Sequence, residues 1–122
     1  MALQYYHNES CSKSRAALAL LQAAGCECEC VHYLEQAPSV ETVLELARKL
    51  AVPVHALVRD NEVEYAAFAA VPVSDNQAWA AAIHAQPRLL QRPILVSDTA
   101  AVVCRPPELA LTWLTEQGHE HA

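Results

Sequence analysis

Cys11 is the residue of this chain best placed to act as a nucleophile. It follows a short β-prone segment (residues 3–7) and a polar turn (8–10), and it directly precedes a helical pattern that begins at Ser12. A cysteine in that position faces the unpaired N–H groups and the positive dipole end of the helix. Both stabilise a thiolate, and thiols at such sites have pKa values of roughly 3.5–7.5. The alternative is a buried, inert thiol.

Polar and basic side chains surround Cys11 in the sequence. Residues 12–15 (Ser-Lys-Ser-Arg) add two cations and two hydroxyl groups, and His7 adds a favourable charge if it is protonated. Ser14 occupies the place where a dithiol redox pair would have its second cysteine. Oxidised Cys11 must therefore be reduced by another thiol or another protein.

Three arginines lie at the ends of predicted elements, where binding sites tend to be built. Arg59 ends a Leu-Val-Arg run, Arg92 leads into a strand through Pro93, and Arg105 follows the next strand. If they converge near Cys11, they form a site for a tetrahedral oxyanion, held by charge-assisted bidentate hydrogen bonds. Ordinary surface ion pairs are the alternative.

The other cysteines and charged residues are interpreted as structural. Cys26, Cys28 and Cys30 alternate along a predicted strand and share one face. Successive thiols about 6–7 Å apart do not suit tetrahedral zinc, so we expect core packing or partial exposure and predict no metal. Cys104 is either a resolving thiol or a buried strand residue, and we favour the latter. Residues interpreted as core are Trp79 and Trp113. Residues interpreted as solvated are Glu41, Glu45, Glu62, Glu64, His119 and His121.

The elements that position Cys11 are predicted from hydrophobic periodicity and turn signals. Residues 3–7 and 28–33 form strands on either side of a helix over residues 12–24, which Gly25 ends. Because short connections join strand, helix and strand, the two strands are expected to be parallel.

The middle of the chain is predicted to be helical. Ser39 is the N-cap of one helix, residues 53–59 form a short helix or turn, and Ser74 with Gln77 forms a capping box for a helix that reaches about His84.

The end of the chain is predicted to form a hairpin and a helix. Runs 94–97 and 101–104 pair across the turn 98–100, and Pro106 with Pro107 begins the last helix. Residues predicted on its inner side are Leu109, Trp113 and Leu114, with Gly118 at its end. The order β-α-β, helical insertion, β-β-α predicts a single α/β domain over residues 1–122, with a mixed sheet of about four strands and helices on both faces.

Composition excludes several classes of protein. The chain has 122 residues, 53% hydrophobic, which suits one globular domain, and its two glycines exclude a Gly-rich phosphate loop. A net charge of −6 argues against nucleic acid or an anionic membrane as partner. There is no apolar run of about 20 residues and no signal-peptide pattern. Five cysteines in such a chain indicate reduced thiols, so we expect a cytoplasmic protein. We also expect a monomer.

From about residue 3 to residue 117, the sequence resembles the glutaredoxin-dependent arsenate reductases, a branch of the thioredoxin-like fold. The matching blocks, in chain order, are Tyr6-His7-Asn8, Cys11, Ser14-Arg15, His32-Tyr33-Leu34-Glu35, Ala56-Leu57-Val58-Arg59, Gln91-Arg92-Pro93-Ile94 and Cys104-Arg105-Pro106-Pro107-Glu108. The chain departs from the family at Glu9, which stands where the family usually has proline. A carboxylate close to Cys11 opposes thiolate formation.

The resemblance implies roles for the residues in these blocks. Cys11 is implied to be the nucleophile, with His7 and Ser14 tuning its thiolate, and the Arg92–Pro93 peptide bond is implied to be cis. The substrate oxyanion is implied to bind Arg59, Arg92 and Arg105. Arsenate is attacked with loss of water, glutathione as co-substrate displaces the arsenic adduct, and the partner glutaredoxin removes the mixed disulfide as arsenite leaves. No bound cofactor is implied.

Two other functions are compatible with the same residues. A glutathione-dependent thiol transferase or deglutathionylase needs Cys11 and Ser14 but not three arginines. A non-catalytic regulatory relative of this fold is the third hypothesis, although such relatives usually carry a Cys-x-x-Cys switch that this chain lacks.

Overall fold

Four short strands form one mixed sheet in the computed structural model, which describes residues 3–91 and 93–116. They are β1 (Gln4–Tyr6), β2 (Glu29–Val31), β3 (Ile94–Val96) and β4 (Ala101–Val103), and their order across the sheet is β2-β1-β3-β4. β1 is parallel to β2 and antiparallel to β3, which is antiparallel to β4. The predicted mixed sheet, parallel pair and hairpin are confirmed.

The described part of the chain contains four α-helices: α1 (Ser12–Ala23), α2 (Val40–Leu50), α3 (Asn76–Ala85) and α4 (Leu109–Glu116). The chain divides into two compact units, one made of Met1–His32 with Arg92–Ala122 and the other of Tyr33–Gln91. The sheet, α1 and α4 belong to the first unit, and α2 and α3 to the second. The predicted single domain over residues 1–122 stays a prediction.

The first unit has a hydrophobic core in which α1 packs against α4. Its buried members are Leu3, Tyr5, Ala17, Leu21, Leu95, Cys104, Ala110, Trp113 and Leu114. Cys26, Cys28 and Cys30 are half-buried and pack against this core, as predicted. Helix α1 ends at Ala23, and Gly25 adopts φ 73°, so the predicted glycine stop is confirmed.

The second unit is built on α2 packed against α3. Ser39 caps α2 as predicted, its side chain accepting a hydrogen bond from the N–H of Thr42 at 3.1 Å. Trp79 of α3 is fully buried, which confirms its predicted place in a core. Three 3₁₀ helices connect these elements: Val54–Leu57, Val63–Phe68 and Pro87–Leu89.

The predicted starts of two helices are wrong. Helix α3 is capped by Asp75, whose carboxylate accepts from the N–H of Ala78 at 3.0 Å, and not by Ser74. The last helix begins at Leu109 and not at the proline pair, because Pro106 accepts from Leu109 in a turn that precedes the helix. Leu109 is consequently exposed, and Ala110 takes the buried position.

Within the described residues, no helix is both long and apolar enough to cross a membrane. The predicted end of α4 at Gly118 and the tail histidines His119 and His121 lie outside those residues.

Candidate active site

Cys11 is the N-cap residue of α1. Its backbone is extended, with φ −95° and ψ 120°, and its carbonyl accepts the first helical hydrogen bond from the N–H of Arg15 at 3.0 Å. The side chain is half-buried, and the first turn of α1 contains no acidic residue. The predicted position at the positive end of the helix is therefore observed.

Asn8 shapes the turn that delivers Cys11 to this position. Its carbonyl accepts from the N–H of Cys11 at 3.0 Å, and its side-chain oxygen accepts from the N–H of Ser10 at 3.0 Å. Asn8 is itself buried. The sequence placed Asn8 in the predicted turn 8–10 and in the block Tyr6-His7-Asn8 but assigned it no role in the site, although asparagine two residues before a turn amide is a known turn signal.

The structure brings together His7 and Ser14, the two residues predicted to tune the thiol. His7 Nδ1 lies 2.7 Å from Ser14 Oγ, and the same hydroxyl accepts from the backbone N–H of Asn8 at 3.1 Å. The carbonyl of Ser14 accepts from the hydroxyl of Tyr5 at 2.6 Å. Ser14 therefore fixes the first turn of α1 to β1 and to the segment that follows it.

His7 acts in this network as a neutral ring. Burial lowers the pKa of His7, and the nearby ring of His32, 6.0 Å away between centroids, lowers it further. The charge of Glu9 raises the pKa of His7, and the charge of Arg15 lowers it. Because the neutral form is favoured at neutral pH, the interaction of His7 with its surroundings is a hydrogen bond to Ser14 and not an added positive charge.

Glu9 projects into solvent. Its side chain is 77% exposed, and its carboxylate lies 4.0 Å from Nδ1 of His32. Its backbone carbonyl accepts from the guanidinium of Arg15 at 2.6 Å. Since solvent screens an exposed carboxylate, the opposition to thiolate formation expected from Glu9 is reduced.

The three predicted substrate-binding arginines occupy different places. Arg105 is exposed and directly follows β4, and its peptide bond to Pro106 is cis. Arg59 belongs to the second unit. Arg92 and the implied cis bond to Pro93 lie outside the described residues. The convergence of the three guanidinium groups near Cys11 stays a prediction.

Arg59 is held by a carboxylate within its own unit. Its Nε lies 3.7 Å from Oε2 of Glu62, and both side chains are only 14% exposed. Arg88 lies 3.4 Å from the other oxygen of Glu62 and 3.5 Å from Glu64. The prediction that Glu62 and Glu64 are solvated is wrong, because both side chains are largely buried in ion pairs.

The other thiols are poorly suited to nucleophilic attack. Burial raises the pKa of Cys104 to about 12 and that of Cys28 to about 11, and it also raises the pKa of Cys26 and of Cys30. None of the five cysteines forms a disulfide bond. In residues 3–91 and 93–116, no three His, Cys, Asp or Glu side chains are grouped so as to hold a metal ion.

Comparison with known proteins places the chain in a family. Residues 6–112 match the model of the ArsC family. An arsenate reductase of Neisseria meningitidis serogroup A is 36% identical over 108 residues, which cover 87% of this chain and 92% of that protein. An arsenate reductase of Escherichia coli K12 is 31% identical over 113 residues, which cover 91% of this chain and 79% of that protein.

A solved structure shows the same fold. The arsenate reductase from Vibrio cholerae superposes with a TM-score of 0.85 at 38% identity and covers 92% of this chain and 97% of its own. The predicted thioredoxin-like α/β class is thereby confirmed. A family match over most of the chain, these relatives and the shared fold together establish that the protein belongs to the ArsC family.

Proposed function

We propose that this protein is an arsenate reductase in which the Cys11 thiolate is the nucleophile. The observation that carries the proposal is the position of Cys11 as N-cap of α1, fixed by the buried hydrogen bonds of Asn8, His7 and Ser14. Helix amides and dipole at this position favour the thiolate over the thiol. Membership of the ArsC family and relatives named arsenate reductase support arsenate as substrate.

The proposed reaction transfers two electrons from thiols to arsenic. The Cys11 sulfur forms a bond to arsenic, and one arsenate oxygen leaves as water. A glutathione thiolate then attacks the sulfur, the sulfur–arsenic bond breaks with its electron pair passing to arsenic, and arsenite leaves. The remaining mixed disulfide between Cys11 and glutathione is reduced by glutaredoxin through thiol–disulfide exchange. In sum, two thiols become one disulfide and arsenate loses one oxygen.

The substrate is proposed to bind Arg59, Arg92 and Arg105. Guanidinium groups match the planar oxygen pairs of a tetrahedral oxyanion and remain charged at all relevant pH values. The proposal needs no resident cofactor, and it places the protein in the cytoplasm, where thiols stay reduced.

An external reductant is favoured over an internal resolving cysteine. Cys104 is fully buried, and its pKa of about 12 keeps it protonated at neutral pH. A protonated thiol does not attack the Cys11–arsenic adduct, because the thiolate is the nucleophile. Glutathione, a small thiol in solution, meets no such barrier.

We expect purified protein with glutathione and glutaredoxin to release arsenite from arsenate, and Cys11→Ala to abolish the release. Cys26→Ala is the matched control, because Cys26 is also a half-buried thiol and should retain most of the activity. Arsenite and oxidised glutathione are measured together and should form in equal amounts.

The absence of arsenite release from folded wild-type protein would overturn the substrate assignment. Cys11-dependent removal of glutathione from a mixed disulfide, without arsenite release, would assign thiol transfer in its place. Equal activity of the Cys11→Ala variant and the wild type would overturn the choice of nucleophile.

A further inference from the structure

The ion pairs around Arg59 form a chain of four charges, here called the Arg59 network: Arg59, Glu62, Arg88 and Glu64. Glu62 stands in the middle, with Oε2 at 3.7 Å from Nε of Arg59 and Oε1 at 3.4 Å from Arg88. Nε of Arg88 in turn lies 3.5 Å from Glu64. The two positive and two negative charges cancel. The network therefore restrains the orientation of its four side chains without adding net charge to this region.

The backbone at Arg59 is also fixed by hydrogen bonds. Its N–H donates to the carbonyl of Leu89 at 2.6 Å, and the preceding residue, Val58, forms an antiparallel bridge with Leu90. A guanidinium that is 14% exposed, on a fixed backbone and with a carboxylate oxygen 3.7 Å from its Nε, has few remaining rotamers. Such a group is oriented before any ligand arrives, which lowers the entropic cost of binding.

We propose that Glu62 is a positioning residue for the reaction: it fixes the guanidinium of Arg59 in the orientation that binds the oxyanion, and Arg88 holds Glu62 in place. This inference rests on the proposed function, since it assigns Arg59 to the substrate. Glu62 touches neither substrate nor nucleophile in this account and acts only through Arg59.

The chain offers a matched comparison for this pair. Glu45 and Arg48 form a second Glu–Arg ion pair with the same three-residue separation. Their side chains are 44% and 69% exposed, against 14% for both members of the Arg59–Glu62 pair. Exposed pairs of this kind contribute little, because solvent screens them and both side chains remain mobile.

The test is a double-mutant cycle on arsenate reduction with Glu62→Ala and Arg59→Ala. We expect Glu62→Ala to lower kcat/KM by about 10- to 100-fold, the range produced when a catalytic group loses its support. In the Arg59→Ala background the same change should have less than about a twofold effect, because the residue it positions is already gone. Glu45→Ala should leave kcat/KM unchanged. Glu62→Gln, which keeps the shape and one acceptor oxygen, should retain more activity than Glu62→Ala.

A merely structural role for Glu62 predicts a different pattern. Loss of folded protein would lower the rate by the same factor in both backgrounds and would lower the unfolding temperature in parallel. Equal losses in the two backgrounds, or full activity of Glu62→Ala in a wild-type protein that reduces arsenate, would overturn the inference while leaving the proposed function standing.

A second measurement does not depend on turnover. The Nε–H resonance of Arg59, assigned by its loss in Arg59→Lys, should move and exchange faster with water in Glu62→Ala, and should be unchanged in Glu45→Ala. An unchanged Arg59 resonance in Glu62→Ala would overturn the inference. If wild-type protein releases no arsenite, the proposed function fails, and this resonance alone decides whether Glu62 orients Arg59.

Discussion

The hydroxyl of Ser14 joins three parts of the candidate active site. It lies within hydrogen-bond distance of the His7 ring, accepts from the amide of Asn8, and belongs to the helical turn that Cys11 caps. All of these groups are buried except Cys11, which is half-buried. Removing one partner from such a network leaves polar atoms without water or protein to bind.

We therefore expect Ser14→Ala to destabilise the protein by about 1–3 kcal/mol, the cost of leaving a buried donor unsatisfied. Alkylation of Cys11 at pH 7 should slow in parallel, because the turn that presents the thiol loosens. Urea unfolding measures the first effect and iodoacetamide kinetics the second. Ser12→Ala, an exposed serine of the same turn, is the control and should resemble wild type in both. An unfolding midpoint unchanged by Ser14→Ala would contradict this account.

Some residues of the site could be predicted from local sequence and others could not. The position of Cys11 at the start of a helix could be predicted, because the few residues on either side of a helix start determine it. Glu62 was misinterpreted as solvated, and one of the two arginines that it pairs with, Arg88, lies 26 positions away in the chain. A carboxylate in a loop has the same appearance in a sequence whether it is solvated or paired.

The four α-helices were predicted in the right parts of the sequence. The errors in predicting them concern where α3 and α4 begin. Both Ser74 and Asp75 are favourable N-cap types, so composition does not choose between them. In the structure the N-cap is Asp75, whose carboxylate accepts a hydrogen bond from the N–H of Ala78. The proline pair before α4 was misplaced for a related reason, since proline suits both the turn before a helix and its first turn.

We expect Asp75→Ala to lower the free energy of unfolding by about 1 kcal/mol, the usual cost of losing an N-cap. Ser74→Ala should change it by less than half as much, because α3 does not use that side chain as its N-cap. Both variants are measured by urea unfolding at the same pH. If Ser74→Ala proves the more harmful of the two, the cap lies one residue earlier than the structure has it.

Over the whole chain, burial raises the pKa of four of the five cysteines, and the fifth, Cys11, is the candidate nucleophile because it is the N-cap of α1. A thiol with a pKa of about 12, as for Cys104, has roughly one thiolate in 10⁵ at pH 7, and only the thiolate reacts. Raising the pH increases that fraction tenfold per unit until the pKa is reached. The thiolate proposed for Cys11 would gain much less from the same rise in pH.

Alkylation of the native protein at pH 7 should therefore modify Cys11 first and reach about one label per chain before the others react. Raising the pH to 8 should accelerate labelling of Cys28 about tenfold, because its pKa of about 11 lies above both values, and should change labelling of Cys11 much less. Peptide mass spectrometry locates the labels, and protein unfolded in urea, where all five react, is the control. Labelling of Cys104 at the rate of Cys11 would contradict the assignment.

The pairing of β1 with β3 affects when the sheet can form during synthesis of the chain. β1 and β3 are neighbours, with Gln4 opposite Val96, although these two residues are 92 positions apart (96 − 4) in the chain of 122. On a ribosome, β1 emerges before β3, so this antiparallel pair forms only after the segment between the two strands has been translated. Until then, the β1 edge that β3 will cover is unpaired next to the segment that carries Cys11, and unpaired strand edges are sites of association between chains.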